Sequence, residues 1–172
     1  ADDVEARQMV KAAYEMEGPV YMRFGRAATS VFHSEDFHFE IGKGEVIQEG
    51  TDVAIIATGI MVPEAIEAGK ALAERGVSAR VINMATIKPL DEDLVLKAAR
   101  ECGKIVTVEE HSVIGGLGEG VCALVSEHCP VPVKRIGVND EFGHSGPAAA
   151  LLEQFGLCTE NIISVSMSLL GE

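Results

Sequence analysis

No two of the four cysteines, Cys102, Cys122, Cys129 and Cys158, form a Cys-x-x-Cys pair, which removes the usual zinc and dithiol redox motifs. Reduced, partly buried thiols fit that spacing and point to a reducing cytoplasm. There is no secretory leader and no long apolar run, so the sequence reads neither as exported nor as membrane-spanning. Ala1 stands where a start methionine is expected and leads almost directly into a helix, so the chain reads as trimmed or cleaved. Basic residues are scarce: 14 Lys and Arg face 27 Asp and Glu, a net charge of −13. A chain of that sign repels nucleic-acid phosphates and anionic membranes. A small anionic substrate stays open to it, because a local pair of arginines can hold a phosphate. His33, His38, His111, His128 and His144 lack metal-ligand spacing, and no metal site is expected. No dinucleotide or P-loop fingerprint, internal repeat or low-complexity tract occurs.

What remains is an ordinary globular sequence. Of its 172 residues, 47% are hydrophobic and 24% charged. A chain of this size buries roughly 70% of its unfolded surface, so it needs no disulfide or metal staple. Residues 2–16 read as a helix capped by Asp2 or Asp3, with Val4, Met9, Val10 and Ala13 as its apolar stripe. Gly18-Pro19 ends it, and residues 20–24 read as a strand. Residues 26–44 have no clean period and read as a linker pinned by Phe32, Phe37 and Phe39.

From there strands and helices alternate. Residues 45–48 suggest a short edge strand, and the unbroken apolar run 53–58 a strand buried on both faces. An amphipathic helix at 62–75 closes at Gly76. A strand at 79–84 and a helix at 91–102, capped by Asp91, come next. The pattern continues with a strand at 104–109, a helix at 117–128, a strand at 132–138 and helices near 146–155 and 160–170. Connections of this length suit right-handed parallel crossovers. The expected fold is therefore α/β: a three-layer helix–sheet–helix sandwich with a mostly parallel sheet.

Two groups of residues could carry chemistry. In VEEHSVIGGLGEG, a strand end passes through Gly115, Gly116 and Gly118 into a helix N-terminus, where an anion can bind. The same pattern also suits tight helix–strand packing. Glu109, Glu110 and His111 sit at the carboxyl end of that strand, where parallel sheets present ligands. A carboxylate beside an imidazole can move protons, but an interface loop reads equally well. Arg23 and Arg26 flank the end of the 20–24 strand. They could clamp a phosphate or form surface ion pairs.

Five stretches in order, GPVYMRFGR, FEIGKGEVIQEGTDVAIIATG, VINMATIKPLDEDLV, VEEHSVIGGLGEGV and RIGVNDEFGHSGPAAALLEQFGL, resemble the C-terminal part of transketolase. The likeness is to the C-terminal subunit of split bacterial and archaeal transketolases in particular. It implies that residues 1–26 are the end of a pyrimidine-binding domain, 27–40 a linker, and 41–172 the transketolase C-terminal domain. That domain is a five-stranded sheet with one antiparallel strand, for which 45–48 is the candidate. The complete enzymes use thiamine diphosphate and magnesium to move a two-carbon ketol unit between sugar phosphates. They need an activating glutamate and a GDG segment; no GDG occurs here, and the glutamate would precede Ala1. The resemblance thus implies a chain that binds no cofactor alone, is inactive in isolation, and works as a homodimer together with an N-terminal subunit or domain. It assigns Arg26, and less directly Arg23, to substrate phosphate, and places Glu109, Glu110, His111, Gly115 and Gly116 at an interface or behind the site. No residue is assigned a catalytic role. Deoxyxylulose-phosphate synthase shares the layout but typically reads RYPRG where this chain has RFGRA. The beta subunits of 2-oxoacid dehydrogenases share the glycine loop but usually lack the arginine pair. A non-catalytic dimerisation or regulatory module is the alternative of another class.

Overall fold

Val53–Ala57 is an uninterrupted apolar strand, and all five of its residues are buried. Such a strand needs cover on both faces, and the rest of the chain supplies it. The computed structural model describes residues 1–26 and 28–171. Its elements are α1 (Asp3–Glu15), β1 (Glu45–Gln48), β2 (Val53–Ala57), α2 (Met61–Glu74), β3 (Ala79–Asn83), α3 (Glu92–Cys102), β4 (Ile105–Ser112), α4 (Leu117–His128), β5 (Val133–Val138), α5 (Ala148–Gln154) and α6 (Thr159–Leu170). The five strands lie in the order β1-β3-β2-β4-β5. The pairs β2–β3, β2–β4 and β4–β5 are parallel, while β1 is antiparallel to β3.

Alternation along β2 divides the core in two. Val53, Ile55 and Ala57 face α2 and α6, meeting Met61, Ala65, Leu72 and Ile162. Ala54 and Ile56 face α3 and α4, meeting Val95, Ala98, Leu117 and Val121. Burying a large aliphatic side chain contributes roughly 1.5–3 kcal/mol, so Ile55 and Ile56, both fully buried, are strong determinants of the sandwich. Asp91 caps α3 by accepting from the Leu94 N–H at 3.1 Å, and Gly103 ends that helix in the left-handed conformation.

The expected strand at 20–24 is absent: these residues form no ladder. A strand is made by its neighbour's N–H and C=O groups, and among the described residues none is placed beside this stretch. Val20, Tyr21 and Phe24 remain exposed. The strand expected at 104–109 is longer, running to Ser112, with an irregular register opposite β5 between Val108 and Ser112.

Helix α1 is tied to the sheet by polar groups as well as by Val4. Asp2 accepts from the Glu5 N–H at 3.0 Å, the Phe32 N–H at 3.0 Å and the His33 N–H at 2.9 Å. Glu5 is buried and receives Asn83 Nδ2 at 2.5 Å. Of the expected linker, Ala27 lies outside the described residues; Phe39 is buried, and Phe32 and Phe37 are half-buried around a buried His33.

Burial alone would raise the Asp2 carboxyl, but the hydrogen bonds from Glu5, His33 and Phe32 outweigh it and hold the group far below the usual carboxylate range. A depressed folded value gives stability that is complete above the unfolded value of about 4 and is lost as the pH falls through the folded one. Asp2→Asn should therefore be less stable than wild type at neutral pH, and the gap should close as the solution is acidified below about pH 4. Urea unfolding of both proteins across that range checks this.

Candidate functional site

In a parallel sheet, ligands gather beyond the carboxyl ends of the strands, where neighbouring connections leave toward opposite faces. Here β2 leads to α2 on one face and β4 leads to α4 on the other. A cleft of about 520 Å³ lies at that point. Its floor is formed by Thr58–Ile60 after β2, Ala85–Pro89 after β3, and Glu109–His111 with Gly115–Leu117 at the β4–α4 turn. Met9 and Ala13 of α1 and residues 19–23 form a further wall.

The β4–α4 turn is organised by one carboxylate. Glu109 is only 2% exposed. Its Oε2 accepts from the Leu117 N–H at 2.7 Å and its Oε1 from the Gly118 N–H at 2.8 Å. These are two of the N–H groups that the first turn of a helix leaves without partners. The helix N-terminus that the sequence marked as an anion site is thus filled by the chain's own anion. The glycines follow from this. A Cβ on Gly116 would overlap the Glu109 carboxylate, and one on Gly118 would lie 2.6 Å from Thr107 Oγ1. Gly115 adopts φ +74 and its N–H donates to Glu119 Oε2 at 2.8 Å. Arg135 Nη1 donates to the Val113 carbonyl at 2.8 Å and fixes the far side of the turn.

Glu110 points the other way. Arg23 donates from Nη1 to the Glu110 carbonyl at 3.0 Å and from Nη2 to Glu110 Oε2 at 3.2 Å. The pair is exposed, so its stabilisation is at most about 1 kcal/mol. His111 is exposed, with Nδ1 3.1 Å from the Ser112 carbonyl. Arg23, Glu109, Glu110, His111, Gly115 and Gly116 therefore all line one cleft. Arg26 is exposed and outside its lining, so within this chain the two arginines do not form one clamp around the cleft. Burial pushes the thiols of Cys102 and Cys122 up, away from the reactive thiolate form.

The contributions of Thr58–Ile60 and Ala85–Pro89 were not foreseen. Their signal was present, because both segments follow expected parallel strands at the carboxyl edge. The buried set Asp2, Glu5, His33 and Asn83 was also missed, and it left no trace in the spacing of the sequence.

A family model described as the transketolase C-terminal domain matches residues 42–162. The chain belongs to the transketolase family. It is 43% identical over 162 residues to a 6-deoxy-6-sulfo-D-fructose transketolase subunit of Clostridium sp. strain MSTE9, covering 94% of this chain and 50% of that protein. It is 39% identical to the 1-deoxy-D-xylulose-5-phosphate synthase of Heliobacterium modesticaldum, covering 98% of this chain and 26% of that one. A solved split-gene transketolase, described as an inactive beta4 tetramer, superposes with a TM-score of 0.96 at 48% identity, over 99% of this chain and 56% of that one. The transketolase C-terminal fold, with its mostly parallel five-stranded sheet, is thus shared with a solved relative. The chain spans about half the length of the split transketolase relatives it matches.

Within this transketolase-family fold, Glu109→Ala should leave two buried N–H groups without an acceptor. Losing hydrogen bonds to a charged group costs about 1.5–3 kcal/mol. Denaturant unfolding should show a loss of that size, with Glu110→Ala, at an exposed pair, changing stability by less than about 1 kcal/mol.

Proposed function

We propose that this chain is the C-terminal portion of a thiamine-diphosphate-dependent transketolase, which transfers a two-carbon ketol unit between sugar phosphates only when joined by an N-terminal subunit or domain. The superposition of almost the whole chain on a split-gene transketolase, at 48% identity, is the observation that carries this reading. In it, residues 1–26 end the pyrimidine-binding domain, 27–40 form the connection, and 41–172 form the C-terminal domain.

The described residues do not fit a magnesium–diphosphate site. The glycine-bordered N-terminus of α4 is filled by Glu109, and no group of three or more His, Cys, Asp or Glu side chains among them is arranged to hold a metal. The cofactor site is therefore assigned to the partner. The role left to this chain is to shape the approach to that site and to hold the assembly together. Arg26, exposed after the wall of the cleft, is assigned to the substrate phosphate, with Arg23 secondary because Glu110 already engages it. Glu110, His111, Gly115 and Gly116 are assigned to the subunit contact at the cleft mouth, and Glu109 to the support behind it. The assembly contains two or more copies of this chain. Its compartment is the cytoplasm, which keeps free thiols such as these four reduced. No described helix is long and apolar enough to cross a membrane.

A second reading, part of a deoxyxylulose-phosphate synthase, is favoured by the relative at 39% identity. The RFGRA sequence in place of RYPRG speaks against it.

The test is reconstitution. The chain alone should neither bind thiamine diphosphate with magnesium in calorimetry nor turn over. Mixed with an N-terminal transketolase subunit, it should transfer ketol units between phosphorylated sugars. A well-formed complex without transfer overturns the proposal, and formation of a deoxyketose phosphate selects the second reading. In the active complex, Arg26→Ala should raise the KM for phosphorylated sugars about 10–100-fold, the effect of losing one charge-assisted pair. His111→Ala should weaken subunit association, read by sedimentation, while turnover stays within about tenfold.

A further inference from the structure

His33 lies buried in the segment that joins α1 to β1, and both of its ring nitrogens meet carboxylates. Nδ1 is 2.9 Å from Asp2 Oδ1 and Nε2 is 2.7 Å from Glu45 Oε2. An ionised carboxylate can only accept hydrogen bonds, and a neutral imidazole has only one N–H to give. Asp2 already receives three backbone N–H groups, from Glu5, Phe32 and His33, which favour its ionised form. Both ring contacts are therefore hydrogen bonds at the same time only when the imidazole carries two protons.

The surroundings hold the ring in place. Phe32 and Phe37 pack against it with centroids 4.2 and 3.8 Å away. Asp2 faces it from the N-cap of α1 and Glu45 from β1. The other charged groups nearby have partners of their own: Glu5 turns to Asn83, Glu35 to Arg7, and Lys43 to Asp91. None of these residues has a part in the proposed ketol transfer.

We infer that His33 is a proton-operated latch, whose doubly protonated ring joins helix α1, through Asp2, to strand β1, through Glu45. Loss of the Nε2 proton would turn a lone pair toward the Glu45 carboxylate at 2.7 Å, and that contact then repels instead of binding. Asp2 keeps its Nδ1–H bond, so release begins on the β1 side. The consequence reaches the cleft, because α1 contributes Met9 and Ala13 to its wall. The latch ties the seating of that wall to pH and does not depend on which sugar, if any, the assembly uses.

Amide hydrogen exchange of the intact protein, corrected for the intrinsic pH dependence of exchange, tests this. Protection in α1 and residues 28–40 should fall about tenfold or more between about pH 6 and about pH 8.5, while α2 and α4 keep theirs. Glu45→Gln alters a half-exposed side chain, and its amide N–H can donate to a neutral Nε2. That variant should lose most of the pH dependence. Protection of α1 that does not change with pH, or a wild-type profile in Glu45→Gln, overturns the latch. Ring-nitrogen NMR shifts of His33 give an independent reading: two protonated nitrogens at about pH 6 support it, and one unprotonated nitrogen there overturns it.

Discussion

Glu109 is a carboxylate with 2% exposure between the end of β4 and the start of α4. A buried charge costs several kcal/mol unless it is fully bonded, and the two N–H groups of Leu117 and Gly118 meet it directly. Much of the surrounding geometry follows from that contact. The helix must start where its open N–H groups reach the carboxylate. Gly116 must lack a Cβ where the carboxylate lies against it, and the positive φ of Gly115 carries the chain around the turn. The alternation of β4 then turns Glu110 to the opposite side, where it meets Arg23, while Glu109 supports the cleft from within.

The other wall of the cleft has a different physical basis. Helix α1 places few apolar side chains in the core; Val4 is its buried one. Its seating depends on polar groups: Asp2 with the 32–33 backbone and the His33 ring, and Glu5 with Asn83. Buried polar networks are geometrically demanding, since every member left unbonded is costly. Such a network fixes one docking position for α1, whereas an apolar contact alone would tolerate several. The stretch that follows, with Tyr21 and Phe24 exposed beside the cleft, has the apolar character that subunit contacts bury.

Local signals in the sequence carried most of the sandwich. Period-two and period-3.6 patterns depend on burial of one face, so β2, α2, α3 and α4 were readable within a residue or two. Asp91 marked the start of α3 because a cap acts within one turn. The stretch 20–24 has strand composition, but composition cannot supply the neighbouring strand that its hydrogen bonds require. Ser112 extends β4 past its apolar run because pairing to Val138 of β5, and not hydrophobicity, holds it there.

For the site, the sequence by itself determined the residue types and their edge of the sheet: a carboxylate pair, a histidine and a glycine run at the carboxyl end of β4. It also determined the acidic balance and, through its motifs, the family. Only the tertiary structure decided that Glu109 turns inward to fill the helix N-terminus while Glu110 turns outward to Arg23. Only the fold brought Asp2 and Glu45 to opposite sides of the buried His33 ring. The physical reason is that periodicity reports which face an element buries, whereas the partner of a polar side chain is set by where distant elements meet, and spacing along the chain does not encode that meeting.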